Sequence, residues 1–402
     1  MNRRHRVLVV APWIPYPLRS GGTYRVFNIL RALSRHPAVD VTLLAPASPG
    51  DAIGIATLSD FGVSITTVPA RSRRRSPVVY LNDLLSARPS TMVENQSRLK
   101  AALPGVIKQR SIDILQIEFL ALAHLVAAVD TTVPRCLTAH FPAHETYARN
   151  ASLPQDDIIA RSLTRLDAKK LRRYEGNMYR LYDRIFVVSA EDGNMMPRLA
   201  GEARYVVAPN GVDLDYFAPS PHRNRSSEQR TVVSACSFQN SANLDGVKYF
   251  LREVWPLVLV GYPRARYQII GRKIPQSVVS LAAASRGVDV VGEVDDIRPY
   301  FHAADASLVI MRAGGGSKIR LVTSLALGVP VVATSLGAEG IDITGLGDVR
   351  VSDSAEGLAM HVSYFLERDA GPSPLLRQRA VESYSWERTV DVMVTTYDEL
   401  RT

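Results

Sequence analysis

The stretch of sequence that decides the fold is residues 312–340, R-A-G-G-G-S-K-I-R-L-V-T-S-L-A-L-G-V-P-V-V-A-T-S-L-G-A-E-G. An apolar strand is predicted just before it at residues 306–311, three glycines follow, and an apolar helix is predicted over residues 319–327. A glycine-rich turn that leads into a helix presents backbone N–H groups and the positive end of the helix dipole to an anion. The stretch therefore indicates an anion site, and a diphosphate is the ligand that suits it best.

Two cations at the start of this predicted helix favour the same interpretation. Lys318 and Arg320 lie in a position where cations weaken a helix and acidic residues are preferred. A bound phosphate or carboxylate explains them better than helix stability does. The alternative is that the glycines only let strand and helix pack closely, with both cations on a solvated face.

Outside this stretch, short β-branched runs alternate with longer helical patterns along most of the chain, which is typical of parallel sheets covered by helices on both faces. The predicted strands are residues 6–11, 39–44, 65–69, 112–118, 135–139, 184–189 and 205–208 in the first half, and residues 231–236, 266–270, 288–291, 306–311, 331–334 and 349–351 in the second. The two series predict an α/β protein with two Rossmann-like domains facing each other across a cleft.

The predicted domain boundary lies in residues 209–230. Asn210 and Gly211 favour a tight turn, and the polar run that follows is typical of an exposed linker. We therefore predict a first domain over residues 1–208 and a second over residues 209–374. A C-terminal helix over residues 375–402 is expected to pack back on the first domain.

Composition indicates a globular protein. The chain has 402 residues, of which 46% are hydrophobic and 22% charged. No apolar run approaches the ~20 residues that cross a bilayer. Basic residues precede an apolar run at residues 7–11, but Pro12 ends it, so we predict a first strand in place of a signal peptide. Cys136 and Cys236 lack metal-type spacing and suit buried thiols, and a cytoplasmic location is expected.

The net charge of +9 leaves two interpretations open. Basic clusters at residues 71–75 and 169–173 would hold the protein peripherally on the anionic inner face of a membrane or bind an acidic acceptor. Alternatively, they are a solvated surface. No interleaved aromatic residues or nucleic-acid motif accompany the clusters, so no nucleic-acid partner is expected.

Six segments in this order resemble glycosyltransferase family 4, the retaining nucleotide-sugar transferases of the GT-B fold. The segments are Y-P-L-R-S-G-G-T-Y-R (16–25), V-V-S-A-E-D (187–192), V-A-P-N-G-V-D-L-D-Y-F (207–217), G-E-V-D-D-I-R-P-Y-F-H-A-A-D (292–305), the glycine-rich stretch, and Y-S-W-E (384–387). The resemblance covers nearly the whole chain. It implies transfer of a sugar from a nucleotide-diphosphate sugar to a hydroxyl of a polysaccharide, glycolipid or natural-product acceptor, with retention of anomeric configuration. Donor binding is implied for the C-terminal domain and acceptor binding for the N-terminal domain.

The resemblance also implies particular site residues. Base contacts fall on Gly292 and Val294, Gly22 corresponds to a glycine near the donor phosphates, and His140 to a histidine near the reacting sugar. His144 competes for the place of His140, and both histidines also have purely structural interpretations. The nucleotide-diphosphate site falls on a further set of residues, namely Arg312, Gly315, Gly316, Ser317, Lys318 and Arg320.

One position departs from the family pattern. The family commonly carries two glutamates with seven residues between them around the glycine-rich turn, and here these positions hold Gly315 and Thr323. The second glutamate normally holds the nucleotide ribose. A threonine hydroxyl cannot bind two vicinal hydroxyls as a carboxylate does. Ribose recognition is therefore expected to differ or to be weaker.

Asp295 and Asp296 are interpreted as acids that precede a helix and not as metal ligands. We therefore expect no metal and no cofactor, with the cations and the helix dipole neutralising the diphosphate. Two other functions remain open: a nucleotide-sugar epimerase or phosphorylase on the same fold, and a catalytically silent partner subunit. An epimerase needs convergent carboxylates, and the sequence offers no convincing set.

Overall fold

The computed structural model describes residues 4–70, 96–129, 132–153, 158–196, 204–220, 230–316, 318–368 and 371–401. The basic cluster at 71–75, Ser317 and most of the predicted polar linker lie outside these residues. The chain divides into two compact units. The first unit comprises Met1–Ala151, Asp156–Asn210 and Trp386–Thr402, and the second comprises Ser152–Gln155 and Gly211–Ser385.

The first unit contains a seven-stranded parallel sheet with strand order β3-β2-β1-β4-β5-β6-β7. Its strands are β1 (His5–Val10), β2 (Val39–Ala47), β3 (Ser64–Pro69), β4 (Ile114–Glu118), β5 (Arg135–Ala139), β6 (Arg184–Val187) and β7 (Tyr205–Val207). The helices that follow these strands are α1 (Gly21–Arg35), α2 (Ala52–Asp60), α3 (Gln96–Arg110), α4 (Ala143–Ser152), α5 (Ile158–Tyr179) and α6 (Ala190–Met195).

The second unit contains a six-stranded parallel sheet with strand order β10-β9-β8-β11-β12-β13. Its strands are β8 (Thr231–Ser237), β9 (Arg266–Arg272), β10 (Val288–Gly292), β11 (Ala306–Val309), β12 (Val331–Ala333) and β13 (Val349–Val351). Its helices are α7 (Ser241–Tyr249), α8 (Trp255–Gly261), α9 (Gln276–Ala283), α10 (Arg298–Ala303), α11 (Ile319–Leu327), α12 (Ser335–Ala338), α13 (Ala355–Glu367) and α14 (Pro374–Ser383). The predicted α/β class with two Rossmann-like sheets is confirmed.

Strand β1 shows why an unbroken apolar run forms a central strand. Alternate side chains of a strand point to opposite faces of the sheet. Val7 and Val9 enter one core cluster of the first unit, whereas Leu8 and Val10 enter another. Both faces of the strand are therefore buried, as the continuous apolar pattern predicts for a parallel sheet.

The C-terminal helix predicted for residues 375–402 is two helices, α14 and α15 (Trp386–Arg401). Between the two helices, the backbone of Tyr384 and Ser385 forms hydrogen bonds with the segment around Val212. The Val212 N–H donates to the Tyr384 carbonyl at 2.8 Å, and Ser385 pairs with Val212 in a parallel bridge. Helix α14 belongs to the second unit and α15 to the first. Helices α7 and α8 are likewise separated, by a π-helical turn at Phe250–Val254.

Helix α15 completes the core of the first unit. Trp386, Val390, Met393 and Tyr397 are buried in the same cluster as Val7 and Val9 of β1. The Tyr397 hydroxyl also donates to the side-chain carbonyl of the buried Gln116 on β4.

Candidate active site

The glycine-rich turn lies beyond the carboxyl end of β11, the edge at which parallel sheets bind ligands. Gly314 and Gly316 have φ angles of +97° and +74°, a region that other residues enter only with strain. Helix α11 then begins at Ile319 with no side-chain cap and no acidic residue in its first turn. The first N–H groups of a helix lack partners within the helix. The chain therefore leaves these donors without the side-chain acceptor that helices commonly supply.

Two further glycines fix the backbone from which this turn starts. A Cβ on Gly246 of α7 would lie 2.0 Å from the Ile310 carbonyl oxygen. A Cβ on Gly337 of α12 would lie 1.9 Å from the Val309 carbonyl oxygen. Both helices therefore approach the end of β11 more closely than any residue with a side chain allows.

Arg312 is held by an acid on helix α7. Its Nε and Nη2 donate to the Asp245 carboxylate at 2.9 and 2.6 Å, and its guanidinium lies over the Tyr249 ring at 4.5 Å. The hydrogen bond to Asp245 raises the pKa of Arg312. The guanidinium is thus positioned at the turn by a partner that the sequence analysis did not identify.

The other two cations also have defined partners. Arg320 Nη2 donates to Asn243 Oδ1 of α7 at 2.9 Å. Lys318 is 5% exposed, and its Nζ donates to the Gly316 carbonyl and lies 4.0 Å from the Glu339 carboxylate. Glu339, which follows α12, therefore belongs to the same cluster as the turn. The structure brings together the predicted cations Arg312, Lys318 and Arg320 at one strand end.

The remaining residues of the second unit that are predicted to bind the nucleotide-sugar donor lie in two places, beyond the end of β11 and around the end of β10. Gly315 is in the turn, and Thr323 lies in α11, where it is 5% exposed. Gly292 ends β10 with a φ of +91°, which requires glycine, and Val294 follows it. Strands β9 and β8 separate β10 from β11, so these two residues occupy a different part of the same sheet edge.

In the first unit, the carboxyl ends of β4 and β5 bring Glu118 and His140 together. Glu118 is fully buried and accepts hydrogen bonds from Gln116 Nε2 at 2.6 Å, Thr138 Oγ1 at 2.8 Å and His140 Nε2 at 2.9 Å. An ionised carboxylate only accepts hydrogen bonds, which is the role of Glu118 in all three contacts. Burial lowers the pKa of Arg25 to about 10, and the negative charge of Glu118 acts in the opposite direction and raises it.

This arrangement sets the protonation of His140. Because Glu118 accepts from Nε2, the neutral imidazole carries its proton there and Nδ1 keeps a lone pair. Burial lowers the pKa of His140, and the hydrogen bond that His140 donates to Glu118 opposes that shift. The imidazole is therefore neutral at neutral pH. Its Nδ1 has no hydrogen-bond partner among the described residues and is an acceptor for an incoming hydroxyl.

Phe119 supports the His140 ring from one side. The two ring centroids are 3.7 Å apart with an interplanar angle of 2°, and Phe119 has a φ of +72°. Such a backbone conformation is costly for a bulky residue and is common at functional sites. A Cβ on Gly22 of α1 would lie 2.9 Å from Phe119 Cζ. Gly22 therefore allows the Phe119 ring to lie against α1.

We expect Gly22→Ala to lower the stability of the first unit and to reduce any activity that depends on His140. The added methyl overlaps the Phe119 ring, which cannot move without disturbing the stack, and such overpacking costs about 1–3 kcal/mol. Gly105→Ala in α3 is the matched control. It adds a methyl that meets nothing within 4 Å, and helix propensity predicts a gain of about 0.5–1 kcal/mol. Thermal unfolding of the two variants measures the difference; equal melting temperatures would contradict the packing role of Gly22.

His144 has a different partner from His140. Its Nδ1 is bonded to the buried carboxylate of Glu175, which also accepts from the Ala143 N–H at 2.7 Å and from the Tyr179 hydroxyl at 3.3 Å. Glu175 therefore ties the start of α4 to α5.

The basic cluster at residues 169–173 lies on α5. Leu171 is buried, whereas Lys169, Arg172 and Arg173 are exposed. Contact with an anionic membrane stays a prediction. Within the described residues, no helix has both the length and the apolar character needed to cross a membrane. The same residues contain no group of three or more His, Cys, Asp or Glu side chains arranged to hold a metal ion.

Sequence reasoning missed Glu118, Asn243, Asp245 and Phe119. A weak signal existed for Glu118, because a carboxylate that ends an apolar strand lies at the ligand-binding edge of a parallel sheet. No local signal marks Asn243 or Asp245, which lie 77 and 67 residues from the arginines that they hold.

Comparison with known proteins agrees with this fold. The family model described as "Glycosyltransferase Family 4" matches residues 19–216, and that described as "Glycosyl transferases group 1" matches residues 229–368. Comparison with curated protein sequences finds no significant match.

Three solved structures illustrate the likeness of fold. Sucrose-phosphate synthase from Thermosynechococcus elongatus has a TM-score of 0.71 and 14% identity, covering 99% of each chain. HepE from Anabaena in complex with UDP-glucose has a TM-score of 0.68 and 13% identity, covering 98% of this chain and 99% of its own. The UDP-forming α,α-trehalose-phosphate synthase from Burkholderia xenovorans, in complex with glucose-6-phosphate, has a TM-score of 0.65 and 11% identity, covering 99% and 100%.

The double Rossmann-like architecture and the glycine-rich turn define a protein of the GT-B class. The two family models together match most of the chain, and the protein belongs to glycosyltransferase family 4. It is a glycosyltransferase.

Proposed function

We propose that the protein transfers a sugar from a nucleotide-diphosphate sugar to an acceptor hydroxyl, with retention of anomeric configuration. The observation that carries the proposal is the cluster at the end of β11, where a glycine-rich turn, Lys318 and Arg320 meet the uncapped start of α11. Retention is taken from the family to which the chain belongs. The acceptor class is a polysaccharide, glycolipid or natural product.

In this proposal the second unit binds the donor. The diphosphate accepts hydrogen bonds from backbone N–H groups at the start of α11 and lies against the positive end of the helix. Lys318 and Arg320 neutralise the charge that develops on the leaving nucleoside diphosphate, which is the step at which fixed cations lower the barrier most. These groups do the work that a divalent metal does in other transferases, so we propose a metal-independent reaction.

The first unit binds the acceptor. His140 Nδ1 accepts a hydrogen bond from the reacting hydroxyl, and Glu118 holds the imidazole in the tautomer that leaves this lone pair available. A neutral histidine with a lowered pKa suits this role, because a protonated ring has no acceptor. The role of Glu118 is positioning, through His140.

The proposal is tested by incubating the protein with UDP-, GDP- and dTDP-sugars, with and without alcohol and sugar acceptors, in the presence of EDTA. Release of the nucleoside diphosphate that depends on acceptor, and a product whose anomeric configuration matches the donor by NMR, are the expected results. A new sugar nucleotide formed without acceptor would indicate an epimerase. Nucleotide binding with no turnover would indicate a silent partner subunit, and complete loss of transfer in EDTA would contradict metal independence.

Thr323 is proposed to contact the ribose of the donor through its hydroxyl. We expect Thr323→Val to weaken binding of UDP by about 2- to 10-fold, the value of one neutral hydrogen bond. The 2′-deoxy analogue of UDP serves as the matched control, because it lacks one of the two ribose hydroxyls. Calorimetric titration of both nucleotides into parent and variant measures the coupling. If the variant loses the same factor for both nucleotides, the hydroxyl of Thr323 does not meet the 2′-hydroxyl.

A further inference from the structure

A cavity of about 140 Å³ lies in the first unit beside His140. We call it the aromatic pocket, because it is lined mainly by rings and aliphatic side chains, including Phe119, Phe141, Tyr147, Leu171 and Tyr174. Helix α5 contributes Leu171 and Tyr174, while the segment that follows β5 contributes His140 and Phe141. His140 is therefore part of the wall of the pocket.

The size of the aromatic pocket limits what it can hold. Whole small-molecule ligands occupy pockets of about 300–1,000 Å³, whereas a dry apolar cavity of about 150 Å³ takes a single benzene molecule. The aromatic pocket therefore accommodates one ring or a short alkyl chain, and not a complete sugar. Its aromatic and aliphatic lining suits an apolar group, because a hydroxylated sugar would lose hydrogen bonds to water there without replacement.

His140 determines where a molecule bound in this pocket must carry a polar group. Its Nε2 is occupied by Glu118 and one of its faces by Phe119, which leaves Nδ1 for a hydroxyl. A molecule that fills the pocket and reaches Nδ1 must carry a hydroxyl next to its apolar group. The same histidine is the residue that the proposed function assigns to the reacting hydroxyl.

We propose that the acceptor is amphipathic, with a ring-sized apolar group held in the aromatic pocket and its reacting hydroxyl, or a hydroxyl next to it, at His140 Nδ1. This inference rests on the proposed function and names its substrate class as aryl or alkyl alcohols and glycosides. A purely polar acceptor, such as a free sugar or sugar phosphate, leaves the pocket unused.

The first test measures binding without any donor. Saturation-transfer NMR and fluorescence titration compare benzyl glucoside with methyl glucoside. The benzyl probe is expected to bind the parent at least about tenfold more tightly, since burying one ring removes a large apolar area from water. Equal affinity for the two probes would overturn the inference.

The second test fills the pocket. Leu171→Trp and Ala121→Leu both place atoms in the cavity, and each is expected to reduce the affinity for the benzyl probe to that for the methyl probe. Leu166→Trp is the control, because Leu166 lies on the same helix but is 41% exposed and does not line the pocket. Affinity for UDP and thermal unfolding report whether each variant is folded. If a folded filled variant retains the benzyl preference, the pocket is not the site.

The outcomes also separate this inference from the proposed function. Transfer to polar acceptors that does not respond to Leu171→Trp would leave the glycosyltransferase function standing and reject the amphipathic acceptor. Benzyl binding that responds to Leu171→Trp, without transfer from any donor, would support the pocket and reject the assigned reaction. Transfer that prefers benzyl over methyl acceptors, and loses that preference in both filled variants, is the result expected when both are correct.

Discussion

Replacing Arg320 by alanine is expected to weaken binding of UDP or another nucleoside diphosphate by about 10- to 100-fold, because a charge-assisted hydrogen bond contributes about 1.5–3 kcal/mol. Arg320 lies in the first turn of α11 and is oriented by Asn243 on α7. A cation at this end of a helix adds nothing to helix stability. The thermal stability of the second unit should therefore stay close to that of the parent while the affinity falls.

Lys318→Ala is expected to reduce affinity by a similar factor, but with some loss of stability. Lys318 is buried and lies 4.0 Å from the Glu339 carboxylate, so the substitution removes a buried positive charge next to that carboxylate. Arg320→Lys retains the charge without the bidentate geometry of a guanidinium and should fall between parent and Arg320→Ala.

The control for both substitutions is Arg264→Ala. Arg264 is exposed and precedes β9, so it lies at the amino end of the strand, away from the ligand-binding edge. Calorimetric titration with UDP, GDP and dTDP compares the variants. The anion site lies elsewhere if Arg320→Ala and Lys318→Ala bind all three nucleotides as tightly as Arg264→Ala does.

The second large effect is expected from Glu118→Gln. The substitution preserves the shape of the side chain, but a neutral amide no longer holds the imidazole proton of His140 on Nε2 as the carboxylate does. The ring can then carry its proton on Nδ1, where the lone pair for the substrate hydroxyl is needed. Loss of a correctly placed proton acceptor costs about 10²- to 10⁴-fold in rate. We therefore expect kcat to fall by about 100-fold or more, with a smaller effect on KM.

Glu175→Gln is a matched control for this loss. Glu175 is as deeply buried as Glu118, lies in the same unit, and is likewise bonded to a histidine, His144. Both substitutions remove a buried charge acceptor and should cost comparable stability, about 1–3 kcal/mol. Only Glu118→Gln should reduce kcat strongly. Equal kinetic losses in the two variants would mean that the Glu118 effect is one of folding alone.

The lowered pKa of His140 predicts the pH dependence that accompanies this role. The folded protein binds the proton of His140 less readily than the unfolded chain, whose histidine has a pKa near 6.5. Stability from this residue is therefore fully present above about pH 6.5 and is lost as the pH falls below it. The free energy of unfolding of His140→Asn should fall less steeply than that of the parent as the pH is lowered below about 6.5. The same pH dependence in both proteins would contradict a neutral, buried imidazole.

Local patterns predicted the elements better than they predicted the partners. Helix α11 was predicted at its observed bounds, because a glycine turn, an apolar periodic stretch and Gly328 at its end are all consecutive in sequence. The break at Tyr384 was not predicted, because it depends on a hydrogen bond from Val212, far away in the chain. The Glu118–His140 pair likewise depends on a contact between residues that are distant in the sequence. Glu118 ends one predicted strand and His140 directly follows another, but only the order of strands in the sheet makes β4 and β5 neighbours.

Helix α15 has a consequence for how the protein is made. The first unit needs Trp386, Val390, Met393 and Tyr397 to fill its core, yet the ribosome synthesises these residues only after the whole second unit. Domains usually fold as they emerge, beginning with the N-terminal one. Here one apolar face of the N-terminal sheet stays incompletely covered until residues 386–401 leave the exit tunnel. During translation the second unit can finish folding before the first, and chaperones that bind exposed apolar surface have their longest opportunity at the N-terminal sheet.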